Sequence, residues 1–294
     1  MSATPSGGPR ARVTTTDLLT MKAEGAPIVA LTAYDTPGAR LADAAGVDVI
    51  LVGDSLGMTV LGYESTLPVT MDDMVRATAA VSRGVSRALV VADMPFGSYQ
   101  AGEDEAVRNA VRLLAEGGAH AVKLEGGEAV AGLVARLVTA GIPVMAHTGL
   151  TPQSVNVFGG YRVQGRDTAG ALALVRDCRA LEAAGAFSVV LELVPAELAE
   201  LVSEELDIPT IGIGAGAGCD GQVQVFHDIL GIGSFVPRHA KRFADMGSAI
   251  TAAISAYAEE VRAGGFPGEE QSSHLDEDVL AELEQALPFT GDGE

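Results

Sequence analysis

Positive charge is scarce in this chain. Lys and Arg together number 19 against 39 Asp and Glu, a formal net charge of −20. That balance excludes a nucleic-acid partner, because backbone phosphates are bound by a basic stripe. It also argues against an anionic membrane surface. A small anionic substrate answers to its local site and is not excluded. Cysteine is equally sparse: Cys178 lies in a helical stretch and Cys219 in a glycine-rich loop. Two cysteines form neither a disulfide framework nor a metal-spaced pair, and a reduced, cytoplasmic setting is the expectation. No apolar run approaches the length of a membrane span. The opening stretch MSATPSGGPRARVTT lacks the apolar region of a secretory signal.

The chain does have enough apolar residues for one large core, 48% of 294. α/β barrels use this length as a single unit. Residues 1–13 are small, polar and rich in Pro and Gly, and read as a flexible arm. TTTDLLTMKAEG follows as a short helix with a Thr cap and Gly25 as its stop. From Pro27 onward, short apolar runs alternate with longer amphipathic stretches. The runs fall at 28–33, 48–53, 88–92, 121–125, 143–147, 187–193, 209–214 and, less distinctly, 222–226. Several intervening stretches end in glycine, the usual helix stop. Such alternation predicts parallel βα units. Eight of them predict a (β/α)8 TIM-type barrel with an N-terminal helix and extra C-terminal helices; a doubly wound open sheet is the rival.

The resulting division is an arm at 1–13, a barrel at 14–265 and an acidic tail at 266–294. The tail carries Leu275, Val279, Leu283 and Leu287 at four-residue spacing. This apolar stripe calls for a partner surface, on its own barrel or on another subunit. The segments at 54–69 and 148–166 are longer than a plain barrel needs, and long βα loops on barrels are usually functional.

The run VILVGDSLGM, residues 49–58, reads as a strand buried on both faces that ends directly in a carboxylate, Asp54. A buried carboxylate is costly without an arginine, backbone N–H groups or a metal to pair with it. Other strands end the same way: Asp93 closes the third, Lys123 and Glu125 the fourth, His147 the fifth and Glu192 the sixth. In a barrel these ends converge on one mouth. Lys123 and Glu125, two apart, point to the same side, the interior, with Val122 and Leu124 facing the helices. Three carboxylates in one space raise each other's pKa unless a cation holds them. Asp54, Asp93 and Glu125 are hard oxygen donors suited to Mg²⁺. Lys123 suits a substrate carboxylate or carbonyl, and Glu192 is a candidate general base.

Each residue taken alone has a plainer reading. A single Asp after a strand is commonly a helix cap, Glu125 precedes a helical stretch, His147 suits a core histidine, and Glu192 could pair with an interior arginine or lysine. Asp35 and Asp48 keep the turn and strand-start readings. The recurrence on successive strands carries the functional reading of the others. The run GIGAGAGCDGQ at 212–222 matches no phosphate-loop or dinucleotide fingerprint and reads as a tight βα loop at the barrel mouth. Arg166–Asp167 and Arg238–His239 read as surface.

The motifs VGDSLGM, ADMPFGSY, VKLEGG, AHTGLTPQSVN, LELVP and IGIGAG occur in this order. Together they resemble the ketopantoate hydroxymethyltransferase family over about residues 14–265. The resemblance implies a (β/α)8 barrel and transfer of a one-carbon unit from 5,10-methylenetetrahydrofolate to 3-methyl-2-oxobutanoate, through a Mg²⁺-stabilised enolate, toward pantothenate and coenzyme A. It implies Mg²⁺ held by Asp54, Asp93 and Glu125; keto-acid contacts from Asp54, Ser55, Asp93 and Lys123, with His147 nearby; and Glu192 as proton acceptor. It also implies a homo-oligomer, a decamer. The alternatives are a Mg²⁺-dependent keto-acid lyase or mutase on the same barrel, and a non-catalytic barrel. A lyase of that kind is expected to carry an acid such as cysteine in a mobile loop, and no cysteine precedes Cys178.

Overall fold

The computed structural model describes residues 11–233 and 235–287. The first ten residues of the expected arm and the last seven of the expected tail lie outside them. The chain groups into two units, divided between Ala244 and Asp245.

The first unit begins with α1 (Thr15–Glu24), which Thr14 opens with a capping box and Gly25 closes in the left-handed conformation. Eight strands follow: β1 (Ile28–Thr32), β2 (Val49–Val52), β3 (Leu89–Asp93), β4 (Ala121–Glu125), β5 (Val144–Gly149), β6 (Ser188–Glu192), β7 (Thr210–Ile213) and β8 (Gly221–Gln224). They pair in sequence order into a closed parallel barrel, β8 returning to β1. The open-sheet rival is thereby excluded.

The outer layer is formed by α2 (Thr36–Ala45), the short α3 (Leu56–Thr59), α4 (Met71–Ser82), α5 (Glu103–Ala115), α6 (Ala131–Thr139), the short α7 (Val155–Phe158), α8 (Thr168–Ala183), α9 (Ala196–Glu205) and the five-residue α10 (Phe226–Leu230). Short polar side chains start several of them: Asp35 accepts from the Gly38 N–H, Thr70 forms a second capping box, and Asp167 accepts from the Gly170 N–H. This satisfies donors a helix start would otherwise leave bare.

Two apolar cores result from the two-residue period of the strands. Outward residues such as Ile50, Val52, Val122, Leu124, Val189 and Leu191 pack against the inner faces of the helices. Inward residues, among them Ile28, Val49, Leu89, Val91, Met145 and Val190, fill the barrel, and Val13 and Leu18 join them. The Val13 N–H donates to the Arg87 carbonyl, so the chain is anchored from the last residue of the expected arm.

The glycine-rich run departs from its expected form. No helix separates β7 from β8: residues 214–220 form the whole connection between the two parallel strands. The run is therefore a crossover and not a tight turn into a helix. Close approaches explain its glycines, since a Cβ at Gly216 would meet that of Ala196 at 2.4 Å and one at Gly218 would meet that of Glu200 at 2.6 Å.

The second unit contains α11 (Met246–Arg262), capped by Asp245, and α12 (Glu277–Ala286). Leu275, Val279, Leu283 and Leu287 are 41–57% exposed in the single chain. No helix among the described residues is long and apolar enough to cross a membrane.

Candidate active site

The carboxyl ends of β2 to β6 bring the predicted residues together. Asp54 sits in the turn after β2, where Gly53 keeps the backbone clear: a Cβ there would lie 2.8 Å from Ser55 Oγ and 3.6 Å from Asp93 Oδ2. The Asp54 N–H donates to Asp93 Oδ2 at 2.9 Å. Asp93 Oδ1 lies 3.0 Å from Lys123 Nζ, across the β3–β4 register. That oxygen has no aligned hydrogen-bond donor among the described residues. Lys123 Nζ is 3.1 Å from His147 Nδ1. His147 stands opposite Glu125 in the β4–β5 register and reaches both Glu125 Oε1, at 3.4 Å, and Glu192 Oε2, at 3.2 Å. Asp54, Asp93, Lys123, Glu125 and His147 are each 3–5% exposed, whereas the Glu192 side chain is 15% exposed. Ser55 opens α3, and its hydroxyl shares a 2.9 Å hydrogen bond with the buried Tyr34.

The capping explanation fails for the residues singled out. The cap position of α3 is Ser55, without a capping hydrogen bond, and Asp54 Oδ2 accepts from Gln153 Nε2 at 2.9 Å. Glu125 Oε2 accepts from the Gln153 backbone N–H, a donor from the loop after β5. The plain readings of Asp35 and Asp48 stand: Asp35 caps α2, and Asp48 pairs with Arg87 at 2.7 Å.

Lys123 and His147 face a surplus of carboxylates here, and the electrostatics show it. Burial raises the Asp54 carboxyl well above its ordinary value, and Asp93 and Glu125 push it further. Burial also raises Asp93, against the pull of Lys123. Glu125 is held below the usual range despite burial, by His147, Lys123 and the Gln153 N–H. Burial opposes the charge on Lys123, but Asp93, Glu125 and Asp54 outweigh it and hold the amine above its ordinary value. Burial and Lys123 both work against protonation of His147, yet Glu125 and Glu192 keep the imidazole at about 9.

The donor set is hard oxygen without sulfur, the set that suits Mg²⁺. Cys178 lies in α8, its thiol pushed up to about 12 by burial, and Cys219 lies in the β7–β8 crossover. Among the described residues no three His, Cys, Asp or Glu side chains converge tightly enough to enclose an ion.

Sequence reasoning missed three participants. Gln153 comes from the long loop after β5, Tyr99 from the loop after β3, and Tyr34 follows β1. The first two lie inside the family-like motifs, and the length of the 148–166 loop was the available signal for Gln153. Backbone shape also went unseen. Leu193, directly after Glu192, has φ 45°, a left-handed conformation that is uncommon for a leucine and recurs at functional sites.

Residues 12–269 match the family model described as ketopantoate hydroxymethyltransferase. The chain belongs to that family. It is an enzyme, and two similar relatives carry the name 3-methyl-2-oxobutanoate hydroxymethyltransferase. One, from Chloroflexus aurantiacus, is 58% identical over 92% of this chain and 96% of its own length. The other, from Roseiflexus sp., is 58% identical over 94% and 98%. Solved structures share the fold at lower identity. A phosphonopyruvate hydrolase in complex with oxalate and Mg²⁺ superposes with a TM-score of 0.56 at 15% identity, covering 92% of this chain and 95% of that one. A 2,3-dimethylmalate lyase of the PEP mutase/isocitrate lyase superfamily gives 0.57 at 21%, covering 92% and 99%. At such identity the likeness is one of fold.

Proposed function

We propose that the chain transfers a hydroxymethyl group from 5,10-methylenetetrahydrofolate to 3-methyl-2-oxobutanoate, forming 2-dehydropantoate on the route to pantothenate and coenzyme A. The observation that carries this reading is the connected cluster from Asp54 through Asp93, Lys123 and His147 to Glu125 and Glu192, in a chain 58% identical to enzymes of that name. Asp54, Asp93 and Glu125 would hold Mg²⁺. When bound, the ion supplies Lewis-acid stabilisation of negative charge developing on the keto-acid oxygens.

The protein's own groups do the rest. Lys123, kept charged by its carboxylate neighbours, stabilises the same negative charge from a buried, preorganised position. Asp54, Ser55 and Asp93 line the keto-acid position. Glu192, the more exposed carboxylate of the cluster, removes the proton from C3 of the keto acid as general base. The resulting carbon nucleophile attacks the folate-borne methylene, and water supplies the hydroxyl as tetrahydrofolate leaves. His147 is buried between Lys123, Glu125 and Glu192, which suits holding the base in place better than touching substrate. The enzyme works in the cytoplasm as a homo-oligomer, a decamer. Support for assembly is the exposed apolar stripe of residues 275–287, and sedimentation of the purified protein at one subunit mass would remove it.

The test is a mixture of the protein with tetrahydrofolate, formaldehyde and 3-methyl-2-oxobutanoate, with and without Mg²⁺. The expected result is 2-dehydropantoate in the complete mixture alone. Cleavage of a keto acid without folate would overturn the reading in favour of a lyase.

A further inference from the structure

The geometry points to Gln153 as a positioning residue that fixes two carboxylates of the cation site at once. Its side-chain amide holds Asp54, its backbone N–H holds Glu125, and Tyr99 locks the amide in the required sense. This inference rests on reading Asp54, Asp93 and Glu125 as a divalent-cation site.

Gln153 is 5% exposed, and its side-chain amide and backbone N–H are fully engaged. Nε2 donates to Asp54 Oδ2 at 2.9 Å and to the Met94 carbonyl at 3.0 Å. Oε1 accepts from the Tyr99 hydroxyl at 2.8 Å, and Gln100 Nε2 approaches it at 3.4 Å. The backbone N–H donates to Glu125 Oε2 at 2.9 Å. These partners settle the sense of the amide, which heavy-atom positions alone leave ambiguous. Turned over, the amide oxygen would face a carboxylate oxygen and a carbonyl oxygen, neither of which can donate once Asp54 is ionised. Tyr99 is fixed in its turn. Its hydroxyl accepts from the Glu125 N–H at 3.2 Å and has one proton to give, and Gln153 Oε1 is nearer than the Glu125 carbonyl at 3.1 Å.

The loop is built to deliver this residue. Gly149 ends β5 with φ 87°, and a Cβ there would sit 2.4 Å from the Glu192 carbonyl oxygen. The chain then turns into a single 3₁₀ turn, Pro152–Ser154, that carries Gln153 inward. A structural glutamine would need only neutral partners. This one directs a side-chain donor to Asp54, in the turn after β2, and its backbone donor to Glu125, at the end of β4, and so ties their orientations together. Groups that orient metal ligands in this way govern affinity, and their loss costs roughly 10–100-fold.

The test titrates Mg²⁺ by calorimetry into metal-free protein saturated with 3-methyl-2-oxobutanoate, for the wild type, Gln153→Met and Tyr99→Phe, with the metal-free melting temperature of each. Gln153→Met keeps length and removes both side-chain donors. Tyr99→Phe frees the amide without removing it. The inference expects Gln153→Met to bind Mg²⁺ roughly 10–100-fold more weakly, Tyr99→Phe to fall between it and the wild type, and saturating Mg²⁺ to restore most of the turnover in both. Should Gln153→Met fail to fold, weakened binding by a folded Tyr99→Phe carries the inference and unchanged binding overturns it. Wild-type and variant proteins binding Mg²⁺ equally would overturn the role of Gln153 while leaving the cation site intact. A wild type that binds no divalent cation would overturn the site itself, and the inference with it.

Discussion

The two ends of the barrel interior handle charge in opposite ways. At the amino-terminal end, the buried side chains are apolar, such as Ile28, Val49, Leu89 and Leu18, or neutral, such as Ser188 and Thr210, and the buried carboxylate there, Asp48, has a cation of its own. Lys22 pairs with Asp220 at 2.8 Å and Arg87 with Asp48 at 2.7 Å. Asp220 also accepts from the Thr210 N–H and hydroxyl. At the carboxyl end, Asp54, Asp93, Glu125 and Glu192 crowd around Lys123 and His147. A matched pair is complete and needs nothing from solution. A buried surplus of one sign is expensive, and it persists where a ligand of the other sign belongs. The comparison separates ionisable residues that hold the fold from those that await a cation and a substrate.

The largest effect that could break this contrast is metal removal. Exhaustive chelation should abolish turnover and added Mg²⁺ should restore it; full activity in a sample shown by elemental analysis to be metal-free would mean the surplus serves something else. Next is Glu192→Gln, which keeps size and hydrogen bonding but removes the base. Loss of a C3 deuterium label from 3-methyl-2-oxobutanoate, followed with Mg²⁺ present and folate absent, should slow by about 10²–10⁴-fold with keto-acid binding retained. Exchange at the wild-type rate would move the role of base to a group other than Glu192.

Leu18→Ala probes the other end. The fully buried leucine should cost about 2–5 kcal/mol in denaturant unfolding, while Mg²⁺ affinity stays at the wild-type value. A large loss of affinity would show the two ends to be coupled.

The smallest effect is on pH. His147 is raised from 6.5 to about 9 in the metal-free protein, so its contribution is fully present below pH 6.5 and is lost as pH rises through about 9. The raised Asp54 acts with the same sign. From His147 alone, metal-free protein should therefore lose about 3 kcal/mol between pH 6.5 and 9. Thermal unfolding across that range checks it, and a rise in stability would contradict the placement of His147.

Much of this was legible because strand geometry is periodic. The apolar runs gave every strand to within about two residues, and the spacing of Lys123 and Glu125 placed both inside the barrel. Gln153, Tyr99 and Tyr34 were not legible as site residues, because a side chain arriving from a loop follows no period. The helix-free passage from β7 to β8 was equally hidden, since glycine-rich runs suit turns and crossovers alike.

The sequence by itself determined that the strands run parallel, the face each residue takes and which ionisable groups close the strands, because alternation at two residues and helices between successive strands leave few other arrangements. Closure into one barrel with one mouth came from the tertiary structure. Only the tertiary structure decided which of those groups touch. Closure and stagger of the barrel set Asp93 opposite Lys123 and Glu125 opposite His147, and loop packing brought Gln153 to Asp54 across 99 positions of chain. Such pairings depend on register and on side-chain reach between distant segments, and these take their values only when the whole barrel packs.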